Sequence, residues 1–330
     1  MPKDRKIGAT IMFRMNWKRI LVIFVTVFLV IQILGSFFFY ELAIKRGPKE
    51  FLQNNADLEV SDQAMDLFIN GAWIDWVNDQ DFEQLTLTSH DGLKLSGYYL
   101  PASEPTDKLV ILTHGYLGNA KQMGLFGQYY YNDLGYNIFM PDARGHGKSE
   151  GKYYGFGWHD RLDLIDWTDL LVEKLGTDTE VAYHGLSMGA ATVLMASGEE
   201  KLPRQVKAII ADSPYKSVYQ LFQYQMNRMF YLPAFPLLDS TSMLTKMRAG
   251  YSFRKASALK EVEKTNVPIL YIHGESDTFV PTEMAEELYA HTSSDKELLL
   301  VPNANHGESF ALAEDQYKLK IDHFLERYVN

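Results

Sequence analysis

The sequence contains no cysteine. That absence excludes a disulfide framework, thiolate-ligated zinc, iron–sulfur centres and a thiol nucleophile, while leaving the cellular compartment open. An excess of basic charge is missing too, since 32 Lys and Arg face 42 Asp and Glu for a net charge of −10. A non-specific nucleic-acid binder would need the opposite balance to neutralise phosphates. No internal repeat or low-complexity stretch interrupts the chain. What is present is length: 330 residues are ample for a core that needs no covalent or metal staple. They suit either two average domains or one larger α/β domain with additions.

The charge is unevenly spread. Residues 1–40 carry six Lys or Arg and one acid, a balance of +5, which leaves −15 for residues 41–330. The 21 residues from Ile20 to Tyr40 carry no charge, and only Thr26, Gln32, Gly35 and Ser36 interrupt the apolar run. At 1.5 Å per residue such a helix spans the ~30 Å hydrocarbon core of a bilayer. Lys3, Arg5, Lys6, Arg14, Lys18 and Arg19 precede the run, whereas Lys45, Arg46 and Lys49 follow it. The positive-inside rule therefore places residues 1–19 in the cytoplasm, residues 20–40 across the cell membrane in a single pass, and the catalytic part outside. A cleaved signal peptide would have a shorter apolar region and a small-x-small site. Here Gly35-Ser36 runs straight into Phe37-Phe38-Phe39-Tyr40, which favours an uncleaved anchor.

Residues 41–82 read as a linking segment. Within it Ser61–Asn78 is predicted to form one amphipathic helix capped by Ser61. Leu67, Phe68, Trp73, Trp76 and Val77 give it an apolar face that packs on the following domain, with burial of the tryptophans at a lipid interface as the alternative. From residue 83 the pattern changes. Runs at Glu83–Thr88 and Leu93–Leu100 flank Asp91-Gly92, a hairpin signal. Near-continuous apolar runs follow at Leu109–Thr113, Tyr136–Met140, Val181–His184, Ala208–Ala211, Ile269–Ile272 and Leu298–Val301. Runs of that kind suit strands buried on both faces. Helical stretches lie between most of them, near 120–134, 160–175, 188–200, 282–291 and 313–328. The expectation is an α/β domain over 83–330, a mostly parallel twisted sheet with helices on both faces. Residues of about 213–262 break this rhythm and are dense in aromatics and Met. They are expected to form an inserted helical lid with an adaptable apolar underside, a small core of its own, or both.

Chemistry concentrates at strand ends, where such sheets bind ligands. Gly185-Leu186-Ser187-Met188-Gly189 follows one strand and opens a helix. That is the strand–turn–helix setting of a nucleophile elbow. Glycine at both flanks, Gly185 and Gly189, avoids collisions across the sharp turn. The turn also aims the Met188 N–H at a developing oxyanion. A serine needs a base, and among nine histidines His306, after the last strand, fits best, with His146 as second choice. His114, His184 and His273 end buried strands and read as structural, whereas His90, His159, His291 and His323 read as surface or turn residues. Asp277, just past the strand Ile269–Ile272, suits the orienting acid, with Asp212 and Glu275 as alternatives. The order Ser187, Asp277, His306 is that of α/β-hydrolases. His114-Gly115-Tyr116 stands where a second oxyanion donor is needed, the Tyr116 N–H. The Tyr116 side chain could also line an acyl pocket.

Five segments together carry a family resemblance: His114-Gly115-Tyr116, Asp142-Ala143-Arg144-Gly145-His146-Gly147-Lys148-Ser149, Gly185-Leu186-Ser187-Met188-Gly189, His273-Gly274-Glu275-Ser276-Asp277 and Asn305-His306-Gly307. From about residue 83 to 328 the chain resembles the α/β-hydrolase superfamily, in its serine aminopeptidase and monoacylglycerol lipase branch. It is also similar to membrane-anchored hydrolases of Gram-positive bacteria. The resemblance implies a triad of Ser187, Asp277 and His306, backbone donors at Tyr116 and Met188, and a site-shaping role for the Asp142–Ser149 loop, whose charged residues read as structural. It implies no metal or organic cofactor. The expected activity is a serine hydrolase, esterase- or lipase-like, acting on a small-molecule acyl ester. The alternatives are a peptide substrate, acyl transfer, or a non-catalytic surface protein on the same fold. Ser187 stands where dehalogenases and epoxide hydrolases of this fold carry Asp. An aminopeptidase would need a lid carboxylate, for which Asp239 is the clearest candidate.

Overall fold

Neighbouring residues on a strand point to opposite faces, so a strand covered on both sides must be apolar throughout. In the computed structural model, which describes residues 16–50 and 61–329, eight strands form one sheet, and the six inner ones are buried along almost their whole length. Its order is β1-β2-β4-β3-β5-β6-β7-β8. The strands are β1 (Glu83–Thr88), β2 (Lys94–Leu100), β3 (Lys108–Thr113), β4 (Asn137–Pro141), β5 (Glu180–Leu186), β6 (Val206–Asp212), β7 (Ile269–Gly274) and β8 (Lys296–Val301). β2 runs antiparallel to β1 and β4, and the other neighbours are parallel. Leu109, Ile111, Tyr183 and Ile209 enter the core on one face of the sheet, and Val110, Leu112, Ala182 and Ile210 that on the other.

The helices are α1 (Trp17–Phe39), which ends in a π-helical turn at Tyr40–Ile44, α2 (Asp62–Asn70), α3 (Trp73–Asp79), α4 (Gly124–Asn132), α5 (Asp160–Leu175) and α6 (Met188–Ser197). After β6 come α7 (Val218–Phe230), α8 (Leu237–Ala249) and α9 (Ala258–Val262), and then α10 (Glu283–His291), α11 (Ser309–Leu312) and α12 (Glu314–Tyr328). Tyr317, Ile321, Phe324 and Leu325 of α12 are buried against the sheet.

One expectation is corrected. The single helix over Ser61–Asn78 is two helices, α2 and α3. Ser61 does cap the first, its hydroxyl accepting from the Ala64 N–H, but Gly71 leaves the helix with ψ 143°. The Trp73 indole then donates back to the Leu67 carbonyl at 2.8 Å, and Trp76 meets Phe82 edge-on. Both tryptophans thus pack on the domain. The apolar helix contains the whole 20–40 segment and extends beyond it, starting at Trp17 and carried by its π turn to Ile44. Trp17 to Ile31 is exposed throughout, unlike a helix of a protein core. Lys3, Arg5, Lys6 and Arg14, and positions 51–60 of the linking segment, lie outside the described residues.

Candidate active site

Four sequence-predicted positions follow the carboxyl ends of strands in one half of the sheet: Tyr116 after β3, Ser187 after β5, Asp277 after β7 and His306 after β8. Ser187 sits at φ 54°, ψ −110°, a conformation that costs about 1–3 kcal/mol and persists only where its surroundings enforce it. The surroundings are glycines. A Cβ on Gly185 would strike the Gly189 carbonyl, and one on Gly189 would strike the carbonyl of Thr113. Close packing of α6 on β3 and β5 therefore demands both. Met188 is the first residue of α6, so its N–H has no acceptor within the helix.

The structure brings Ser187, His306 and Asp277 into one line. Ser187 Oγ is 2.8 Å from His306 Nε2, and His306 Nδ1 is 2.7 Å from Asp277 Oδ2. The Asp277 carboxylate is held on all sides. Its Oδ1 accepts from the N–H groups of Phe279 and Val280 at 2.9 and 2.8 Å, and its Oδ2 also faces His273 Nε2 at 3.1 Å. Burial pushes the Asp277 carboxyl up, but the charge of His306 and the hydrogen bonds from His273 and His306 hold it well below the usual carboxylate range. For His306, burial works downward, and the Asp277 carboxylate and Asp212 outweigh it, leaving the imidazole above its ordinary value.

The other candidates have different partners. Asp212, pushed up to about 6 by burial, accepts from the hydroxyls of Tyr317 and Ser213 at 2.9 Å each. Glu275 is exposed. His146, pulled down to about 3 by burial and by His114, accepts from the Leu117 N–H at 3.2 Å, so it braces the Tyr116 loop. His114 accepts from the Ala143 N–H at 3.0 Å on the loop's other side. Arg144, 1% exposed, bonds Asp163 at 2.6 and 2.7 Å and Asp91 at 2.9 Å. His90, Asp163 and Asp166 bring three ligating atoms within 4.8 Å of one another, but both Asp163 oxygens are committed to Arg144.

A cavity of about 840 Å³, counted with its open mouth, leads from Ser187 under α7 and α8. Tyr116, Phe156, Leu221, Phe222 and Met226 form much of its wall. Its remaining side is the end of the apolar N-terminal helix: Phe39, Leu42 and Ala43 line it directly. Sequence reasoning missed that wall, because an apolar helix reads the same whether it faces lipid or a cavity. It also missed His273 as a support of Asp277; the one available signal was its place four residues earlier at the end of the same strand. Glu308, buried, was missed as well. It accepts from the Asn305 N–H at 2.8 Å and from the Ser61 N–H, fixing the His306 loop to the linking segment.

Residues 123–330 match the prolyl oligopeptidase family. The YqkD protein of Bacillus subtilis is 31% identical over 256 residues, which span 75% of this chain and 82% of that one. The chain belongs to the prolyl oligopeptidase family. It is accordingly a serine hydrolase on the α/β-hydrolase fold, and solved structures agree. The Pyrococcus furiosus esterase Pf2001 superposes with a TM-score of 0.62 at 25% identity, over 78% of this chain and 96% of that one. The Pyrococcus horikoshii acylaminoacyl peptidase superposes at 0.57 and 18% identity, over 76% of this chain and 42% of that one; this second likeness is one of fold. The family match begins at Met123, so α1 and its π turn lie wholly outside it.

Proposed function

We propose that this family member is a membrane-anchored esterase that cleaves carboxylic esters of apolar acyl groups, with Ser187 as nucleophile, His306 as base and Asp277 as the acid that orients it. The observation that carries the reading is the continuous path from Ser187 Oγ through His306 to Asp277, with contacts of 2.8 and 2.7 Å, at the end of an apolar cavity. Ser187 Oγ bonds to the ester carbonyl carbon as its proton passes to His306 Nε2. The N–H groups of Met188 and Tyr116 stabilise the oxyanion. Collapse of the tetrahedral adduct breaks the carbon–oxygen bond, and the alcohol leaves with the proton from His306. Water then attacks the acyl-enzyme, gives its proton to His306, and releases the acid and the free Ser187 hydroxyl. By the positive-inside rule, residues 45–330 face the exterior, and protease added to intact cells should reach them.

A peptide substrate is the second reading, favoured by the family's peptidase members. An aminopeptidase needs a carboxylate facing its substrate's amino group. Among the described residues no Asp or Glu lines the cavity, and Asp239 is bonded to Tyr219 and Arg254 instead. A series of p-nitrophenyl esters tests the choice. Each buried methylene is worth about 0.8 kcal/mol, so kcat/KM should climb roughly fourfold per methylene from acetate towards octanoate. A flat series, or faster cleavage of aminoacyl p-nitroanilides, would contradict the esterase reading.

A further inference from the structure

A helix needs about 20 residues to cross a ~30 Å hydrocarbon core. The last charge at the start of α1 is Arg19, and beyond it every residue is exposed from Ile20 to Ile31, 12 residues or about 18 Å. From Gln32 onward one face packs against α8, while Ile33, Leu34 and Phe38 stay exposed. The hydroxyls of Ser36 and Ser240 are 2.7 Å apart, and Ser240 Oγ is 3.3 Å from Gln32 Oε1. The side-chain oxygen of Gln32 and the Ser36 hydroxyl thus find partners in the insert, as polar groups in hydrocarbon need. Gly35 lies against the Leu237 side chain, and Phe39 meets Phe230 of α7 edge-on at 5.1 Å. To complete a crossing, α1 must remain in hydrocarbon to about Phe39, and the first turns of α8 must go in beside it.

The insert is built for that position. Met229–Leu238, joining α7 to α8, carries no charge, and within it Tyr231 and Phe235 are 89% and 75% exposed. Met243 and Met247 extend the same exposed apolar surface at 66% and 68%. Lys246 and Arg248 come only in the last turn of α8, where Arg248 lies 4.9 Å from Phe37 and 5.4 Å from Tyr40, at the headgroup end. The acid in the first turn of α8, Asp239, is turned to Tyr219 and Arg254.

We propose that the α7–α8 insert sinks with α1 into one bilayer leaflet, and that the substrate is a membrane lipid whose acyl chain enters from the hydrocarbon between them. The same elements already form the cavity: Phe39, Leu42 and Ala43 from the anchor face Phe230 and Leu238 from the insert. The chain slides along its own anchor to reach Ser187, and its ester stops at headgroup level. This deepens the esterase reading and rests on it for the reaction; the depth of the insert stands without it.

The absence of cysteine makes the test clean. Full-length Phe235→Cys, carrying a bimane fluorophore, is reconstituted in phosphatidylglycerol–phosphatidylcholine vesicles and quenched with bromoacyl lipid. Asp178→Cys, exposed just before β5, serves as the reference. Quenching at least fivefold stronger at position 235 is expected; equal quenching at the two positions overturns the insertion. The second arm follows monooleoylglycerol in the same vesicles and p-nitrophenyl butyrate in solution. The double variant Phe235→Asp, Met243→Asp should lower the ratio of vesicle to soluble rates at least tenfold. An unchanged ratio overturns entry from the bilayer. Failure of the wild type on both esters would sink the esterase reading and leave the quenching result to decide the depth.

Discussion

The Tyr116 phenol donates to the Ala43 carbonyl at 2.8 Å, joining the loop beside Ser187 to the end of the apolar N-terminal helix. The neighbouring chain is stitched down as well. The Tyr154 N–H donates to the Ile44 carbonyl at 2.8 Å, and the Arg46 N–H to the Lys152 carbonyl at 3.0 Å. The Arg46 guanidinium reaches the carbonyls of Ser149 and Gly147 at 3.0 and 3.1 Å. The apolar N-terminal helix therefore ends beside Ser187 and is fixed there by hydrogen bonds.

Replacing Tyr116 by Phe keeps the ring, which stacks on Phe156 at 5.0 Å, and removes the bond to Ala43. The loss should be about 1 kcal/mol, read as a fall of a few degrees in Tm. Since the proposed oxyanion donor at this position is the backbone N–H, kcat should change by less than about threefold. A hundredfold loss would mean that the hydroxyl itself takes part in the chemistry.

The pH dependence follows from His306. Its imidazole is held above the ordinary histidine value by Asp277, with Asp212 adding to the effect, against the opposing influence of burial. It must be neutral to accept the Ser187 proton, so kcat/KM should rise with pH through that raised value. Asp212→Asn removes a negative charge that favours the imidazolium, so the rising limb should move to lower pH. Soluble-ester kinetics across pH 5 to 9 measure it; a limb that stays put or moves upward would contradict the assignment.

Much of this was legible in the sequence for definite reasons. The inner strands show as apolar runs because both sheet faces are covered, and Leu109–Thr113 and Val181–His184 are visible with no alternation at all. Gly185 and Gly189 mark the turn at Ser187 because backbone stands where any Cβ would go. Asp277 and His306 could be placed because each follows a strand directly. What was hidden depends on tertiary path. The break at Gly71 looks like one tolerated glycine until Trp73 folds back on Leu67. The roles of His273 and Glu308 appear only when loops remote in sequence meet. Phe39, Leu42 and Ala43 are indistinguishable in sequence from the exposed apolar residues beside them.

Arg144 offers a test of the fold beneath the site. At 1% exposure it neutralises Asp163, so Arg144→Met would leave a buried carboxylate without its partner, at a cost of about 3–5 kcal/mol. Urea denaturation should show that loss, and adding Asp163→Leu should restore most of it. A single variant within 1 kcal/mol of wild type would contradict the pairing.

The most direct measurement concerns Ser187. A fluorophosphonate probe reacts only with a serine whose proton a neighbouring base accepts. With the purified full-length chain, mass spectrometry should place one adduct on the peptide containing Ser187. Labelling should vanish in Ser187→Ala and slow at least a hundredfold in His306→Ala. An adduct on another residue, or equal labelling of wild type and Ser187→Ala, would show that the nucleophile lies elsewhere.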